Sequence, residues 1–244
     1  MMSPELIIAT TFIAAFIQSV ASFGFALISV PILASASSLS QAIPLVAVAG
    51  FSSNVLLWAF YRQSLQIKTI LRLVIASLIG LPFGLLLLQW VNESILLAIL
   101  GIGLILYAVY ALLQLHLPKL NSPNWAYGFG FVSGVMLGSY NIPGPPAVLY
   151  ADCKCWTPEE FKGNLNGFFM VNAIAVIGGH FLQHRITSVT LQSLAIALPG
   201  IILGFALGTW LSGFINPVRF RQAVLILLMM MGGQLILLAT GMRA

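Results

Sequence analysis

Charge is scarce in this sequence. Of its 244 residues only ten are Lys or Arg and five are Asp or Glu, so 6% carry charge, against about 25% in a soluble domain. Hydrophobic residues make up 60% and the mean hydropathy is +1.04, which leaves too little polar surface to face water. A soluble enzyme, a nucleic-acid module and a disordered chain are therefore excluded. The net charge of +5 does not point to nucleic acid, because the basic residues lie scattered between apolar runs. Acids are absent from every apolar run: Glu5, Glu93, Asp152, Glu159 and Glu160 all sit at ends or in connections. The intramembrane carboxylates that relay protons in many carriers are thus missing. So are a phosphate-binding Walker loop, paired catalytic carboxylates and a Ser/His/Asp set, and no enzymatic activity is expected. Cysteine is nearly absent too. Cys153 and Cys155 flank one lysine, a spacing that disfavours a disulfide, and no Cys/His pattern fits zinc, so neither metal nor cofactor is expected. No cleavable signal is evident, since Glu5 and not a basic flank precedes the first apolar run, and that run is expected to stay in the mature protein.

What the chain does have is apolar length. A membrane-spanning helix needs about 20 apolar residues, and eight apolar elements can be read from polar break to polar break. They cover Leu6–Ser38, Gln41–Tyr61, Thr69–Val91, Ser94–Leu115, Trp125–Ala151, Phe161–Phe181, Val189–Phe214 and Val218–Gly241. The polar stretch 116–124 divides them four and four, giving an N-terminal repeat over 1–115 and a C-terminal repeat over 125–244. The halves resemble copies. Gly80, Gly84 and Trp90 recur 120 positions later as Gly200, Gly204 and Trp210, and Gly50-Phe51 recurs after 117 as Gly167-Phe168. Asn54 meets Asn172 at 118 and Pro31 meets Pro146 at 115.

The first element of each half is broken. Leu6–Ser38 is interrupted by Ser22-Phe23-Gly24 and then Pro31, and Trp125–Ala151 by the stretch Ser139 to Pro146 with its three prolines. Proline lacks an N–H and clashes with the preceding turn, so a helix cannot run through such a stretch. Within a bilayer, irregular backbone is tolerated only where protein buries it or a polar cavity receives it. Matched breaks in two halves are a sequence pointer to a transporter's binding site.

The distribution of basic residues bears on topology. If each broken element spanned the membrane, the ten would divide six against four. If each is a re-entrant hairpin, Arg62, Lys68, Arg72, Lys119, Lys154, Lys162, Arg219 and Arg221 share one side, with Arg185 and Arg243 opposite. The second arrangement obeys the positive-inside rule better. It predicts an all-α polytopic membrane protein of two homologous halves arranged as inverted repeats, each a broken, re-entrant hairpin followed by three transmembrane helices. Both termini would be non-cytoplasmic.

Polar but uncharged groups remain at mid-membrane depth: Gln18, Ser19, Ser22 and the bare backbone of Gly24 in one break, and Ser139, Tyr140, Asn141 and Gly144 in the other. A helix that restarts after a break presents N–H groups without intrahelical partners and a partial positive charge. Two such restarts facing one cavity form an anion site without a cationic side chain. Pro145 and Pro146 suit the first turn of a restarted helix. Asn54 and Asn172, each mid-span, must face the protein interior; they either cap a break or touch substrate. The paired glycines Gly80, Gly84, Gly200 and Gly204 read instead as close helix packing.

The stretches SFGFALISVPIL (Ser22–Leu33) and LGSYNIPGPPAVLY (Leu137–Tyr150), with the layout of eight elements in two halves, resemble the TauE/SafE family of sulfite exporters and sulfite/toluene-sulfonate permeases. Where that family is richer in glycine at both breaks, this chain has Phe25-Ala26 and Asn141-Ile142-Pro143. The resemblance implies a multi-pass protein of the bacterial inner membrane that moves a small sulfur-containing or organic anion. It places binding roles on Ser22, Gly24, Phe25, Ser139, Asn141, Gly144 and Pro145. The partners implied are that anion and the lipid bilayer, with no nucleic acid and with a homodimer left open. An anion leaving a negative interior runs downhill by about 2.3 kcal/mol per charge per 100 mV, which needs no buried carboxylate and favours export. The competing reading is a non-transporting membrane scaffold or assembly subunit.

Overall fold

The computed structural model describes residues 2–113, 119–120, 122–214 and 216–241, with the side chains at 60–62, 158, 217 and 221 outside that description. Residues 116–118 and 121 of the 116–124 connection, Arg243 and the side chains of Arg62 and Arg221 therefore lie outside the described residues. The described chain is all helix and turn. Its helices are α1 (Pro4–Ala21), α2 (Phe25–Ala36), α3 (Leu39–Tyr61), α4 (Ile67–Trp90), α5 (Glu93–Leu112), α6 (Trp125–Tyr140), α7 (Gly144–Cys153), α8 (Pro158–Leu182), α9 (Ser188–Leu211) and α10 (Pro217–Ala239). The eight apolar elements become ten helices because each broken element forms two, α1 with α2 and α6 with α7. Among the described residues seven helices are long and apolar enough to cross a bilayer: α1, α3, α4, α5, α8, α9 and α10. At 1.5 Å per residue, α2 with 12 residues and α7 with 10 extend only about 18 and 15 Å, too short for a core about 30 Å thick.

Local sequence sets the helix starts. Ser3 Oγ accepts from Leu6 N ahead of α1, and Asn92 Oδ1 accepts from Ser94 N ahead of α5. Thr157 with Glu160 and Thr187 with Thr190 form reciprocal capping boxes on α8 and α9. At the breaks the ends are set by left-handed backbone. Ser22 (φ 68°) closes α1, with its N–H donating to Gln18 O at 2.7 Å. Asn141 (φ 57°) closes α6, with its N–H on Leu137 O and the next N–H, of Ile142, on Met136 O. Two successive N–H groups thereby satisfy carbonyls of the last turns of α6. The breaks are narrower than the sequence indicates. Pro31 lies inside α2, Ser139 and Tyr140 still belong to α6, and Pro145-Pro146 already belong to the first turn of α7.

Packing between the halves follows one exchange rule. α1 lies along α9, and α6 lies along α4; α3 meets α8, and α5 meets α10. Small residues allow the two closest seams. A methyl group at Gly84 would fall on the Val135 carbonyl oxygen, and one at Gly204 on that of Phe12. These contacts bring backbone to backbone, as small-residue helix interfaces in membranes require.

The two chain ends of each broken pair lie at the same end of the protein. The α1 start (Met2, Ser3, Pro4) and the α3 start (Ser40, Gln41) border one cavity together with the α8–α9 turn. In the other half, Leu120 N donates to Cys153 O at 3.2 Å and Lys154 Nζ to Leu120 O at 2.8 Å, so the segment entering α6 touches the segment leaving α7.

Candidate anion-binding site

The two breaks converge on a cavity of about 60 Å³. One wall is Phe23, Gly24, Phe25, Ala26 and Leu27 from the first break, and another is Asn141, Ile142, Pro143 and Gly144 from the second. The middle of α3 contributes Ala47, Gly50, Phe51 and Asn54, the middle of α8 contributes Phe169 and Ala173, and Gln18 and Leu137 complete it. A water needs about 10–15 Å³ by this kind of measure, so the space suits a few waters or one small oxyanion.

The donors are unevenly divided. Helix α2 begins without a side-chain cap on Gly24, which itself has φ 113°. The first N–H of α2 to find a helical acceptor across its cap is that of Ile28, on Gly24 O at 3.1 Å. The three preceding residues, Phe25, Ala26 and Leu27, are the ones that line the cavity. Helix α7 opens with Gly144-Pro145-Pro146, and two prolines remove two of the N–H groups that make a helix start attractive to anions. The second break therefore offers mainly the Asn141 amide and the Gly144 backbone.

Side-chain amides extend the donor set. Ser53 Oγ donates to Gln18 Oε1 at 2.5 Å, and Gln18 Nε2 donates to Asn54 Oδ1 at 2.7 Å. No side chain lining this cavity is charged.

The nine residues singled out from sequence fall into two groups. Gly24, Phe25, Asn54, Asn141 and Gly144 line the cavity. Ser22, Ser139, Pro145 and Asn172 are buried beside it without lining it. Ser139 Oγ donates to Val135 O at 2.9 Å and to Gly84 O at 3.2 Å, which ties α6 to α4. Asn172 is engaged at both ends, its Nδ2 donating to Phe168 O at 2.8 Å and its Oδ1 accepting from Ser77 Oγ at 2.6 Å. Ser22 Oγ is buried without a partner. Pro145 shapes the α7 start and has no N–H to offer.

The sequence places Gln18 at mid-depth but does not show that it holds the amide chain, and nothing in it marks the aromatic wall of Phe23, Phe51 and Phe169. Gly50-Phe51 was visible as part of the internal repeat, but nothing in a linear pattern says that α3 turns this pair toward the breaks.

A profile of the family described as sulfite exporter TauE/SafE matches residues 7–235. Neither a curated protein nor a solved structure matches the chain. With the match extending over nearly the whole sequence, and with seven helices fit to cross a membrane, this multi-pass membrane protein belongs to the TauE/SafE sulfite exporter family.

Proposed function

We propose that the protein exports a small sulfur-containing or organic anion by alternating access, holding it in the cavity between the two breaks. The observation that carries this reading is the lining itself, an uncharged space where α2 restarts and where the Asn54 and Asn141 amides stand. Backbone N–H groups at a helix start and amide N–H groups are donors, and donors without a fixed cation bind an anion while still letting it leave. The small volume favours sulfite or the head of a short sulfonate over a bulky aromatic sulfonate.

In this reading the halves, 1–115 and 125–244, are inverted repeats, and both broken pairs are re-entrant hairpins. Supporting it are the placing of both chain ends of each pair at one end of the protein and the exchange pattern of the helix contacts. The end carrying Lys68, Arg72, Lys119, Lys154, Lys162 and Arg219 would then face the cytoplasm of a bacterial inner membrane, and both chain termini would face away. Its basic residues raise the local anion concentration at the entrance. Rocking of the halves about the cavity would expose the anion to either side in turn, driven outward by the membrane potential.

Proteoliposomes loaded with sulfite test the proposal. An inside-negative potential of 100 mV should favour outward movement by about 2.3 kcal/mol per charge, close to a 50-fold equilibrium bias. Efflux that ignores the imposed potential would overturn the uncoupled export mechanism. Absence of flux, together with no thermal stabilisation of the purified protein by sulfite or by any of a panel of sulfonates, would favour the scaffold reading.

A further inference from the structure

A second and larger cavity, of about 730 Å³, opens at the end of the protein that gathers the α1 start, the α3 start and the α8–α9 turn. Its lining is polar at Ser3, Ser40, Gln41, Gln192 and Ser193, and it holds a single charged side chain, Arg185. Arg185 Nη1 is buried and has no hydrogen-bond partner. Among the described residues no carboxylate lines the cavity; of the acids on this end, Glu93 is occupied in accepting from Leu39 N and Glu5 is exposed in the first turn of α1 without lining it. The start of α9, capped by Thr187 and Thr190, borders the same space and adds its partial positive charge. A buried donor without a partner carries a desolvation penalty. Burial pulls Arg185 below its ordinary value, yet a guanidinium stays charged throughout the physiological range.

We infer that Arg185 is the anchor of a second anion-binding site, a vestibule in which a small sulfonate or similar oxyanion rests on the side opposite the basic cluster. The planar guanidinium fork matches two oxygens of such a group, and the hydroxyl and amide side chains around it can take the third. The vestibule lies toward the start of α3 from the central cavity: its α3 lining is Ser40, Gln41 and Leu45, whereas that of the central cavity runs from Ala47 to Asn54. An anion leaving the central donors toward that end would meet a fixed positive charge before open water. The role as an exit station rests on the transport reading; the binding site itself does not.

The test reports binding without requiring transport. In a Cys155→Ser background, Ser193→Cys places a thiol on the vestibule wall and Ser212→Cys places one outside it as a control. Labelling by N-ethylmaleimide is followed in neutral phosphatidylcholine nanodiscs, with methanesulfonate as protectant because sulfite would consume the reagent. Millimolar methanesulfonate should slow labelling at 193 by several-fold and leave 212 unaffected. Adding Arg185→Gln should abolish the protection, whereas Arg185→Lys should retain part of it; unchanged labelling without methanesulfonate shows that the cavity still forms. Should Arg185→Gln fail to fold, the Arg185→Lys variant and the 193-against-212 comparison decide. Equal labelling with and without methanesulfonate overturns the inference, as does protection that appears only when anionic lipid replaces phosphatidylcholine. Protection in a protein that moves no sulfite would leave the site standing and remove the export reading alone.

Discussion

Gln18 Nε2 donates to Asn54 Oδ1 at 2.7 Å, and this bond fixes which way the Asn54 amide faces. The Ser53 hydroxyl holds Gln18 Oε1, so the Gln18 NH₂ must point at an acceptor, and Asn54 presents its oxygen. The Asn54 NH₂ is left as the open end of the chain on the cavity wall.

Asn54 is therefore expected to be a direct anion donor. Asn54→Ala should raise the apparent KM for the anion by roughly 10- to 100-fold, the equivalent of a hydrogen bond to a charged group. Asn54→Asp, similar in shape but negative, should remove binding altogether. Initial-rate efflux against substrate concentration checks both; an unchanged KM in Asn54→Ala would remove this residue from the site.

Asn172, which follows Asn54 at a spacing of 118, should behave differently. Its amide is spent on Phe168 O and the Ser77 hydroxyl, so Asn172→Ala leaves a buried hydroxyl without its acceptor at a cost of about 1–3 kcal/mol. The expected signature is a lower melting temperature with a KM close to wild type. Thermal unfolding and transport measured on the same preparation separate the two asparagines.

Asn141 combines a backbone task with a side-chain task. Its φ of 57° is comfortable for Asn or Gly and strained for Ala. Asn141→Gly should preserve the end of α6 while weakening anion binding, and Asn141→Ala should add destabilisation of about 1 kcal/mol or more. Full transport activity in Asn141→Gly would show that the amide does not touch the anion.

The glycine seams predict a sharp contrast. Gly84→Ala and Gly204→Ala each drive a methyl group into a backbone carbonyl of the facing helix, and overpacking of this kind costs roughly 1–3 kcal/mol. Gly103→Ala and Gly178→Ala meet nothing within 4 Å and should be neutral or stabilising by up to about 1 kcal/mol, since Ala is the better helix former. Melting temperatures of the four variants in one detergent check the ordering.

The native thiols report orientation. Cys155 is exposed and Cys153 buried, on the end that carries Lys154 and Lys162. In oriented membrane vesicles an impermeant maleimide should label Cys155 only from the cytoplasmic face and leave Cys153 unmodified. Labelling from the opposite face would invert the proposed topology, and with it the assignment of entrance and exit.

The location of the two breaks was legible in the chain, because Ser22-Phe23-Gly24 and the prolines after Asn141 contradict helix continuation in otherwise apolar runs. Their exact extent was not. Pro31 sits within α2 and Pro145-Pro146 within the first turn of α7, since proline signals a restriction on one turn and does not say whether a helix is ending or beginning. The matched asparagines were legible as a pair, yet their roles diverge. Asn54 finds Gln18 from α1 and keeps its NH₂ available, whereas Asn172 finds Ser77 from α4. A recurring sequence position cannot reveal such a difference, because Asn54 is met by a helix of its own half of the chain and Asn172 by one from the other half.

The scarcity and placement of charge by themselves determined that this is a membrane protein and that its apolar runs carry no acid. These follow from composition, because the transfer cost of an unpaired charge or polar group does not depend on the details of packing. Only the tertiary structure decided which donors share one cavity, that α7 contributes fewer of them than α2, and that Arg185 lines a separate cavity at the far end. Those facts depend on helices brought together from distant parts of the chain, where glycine seams set the approach and hydrogen bonds across the seams set the direction each amide faces.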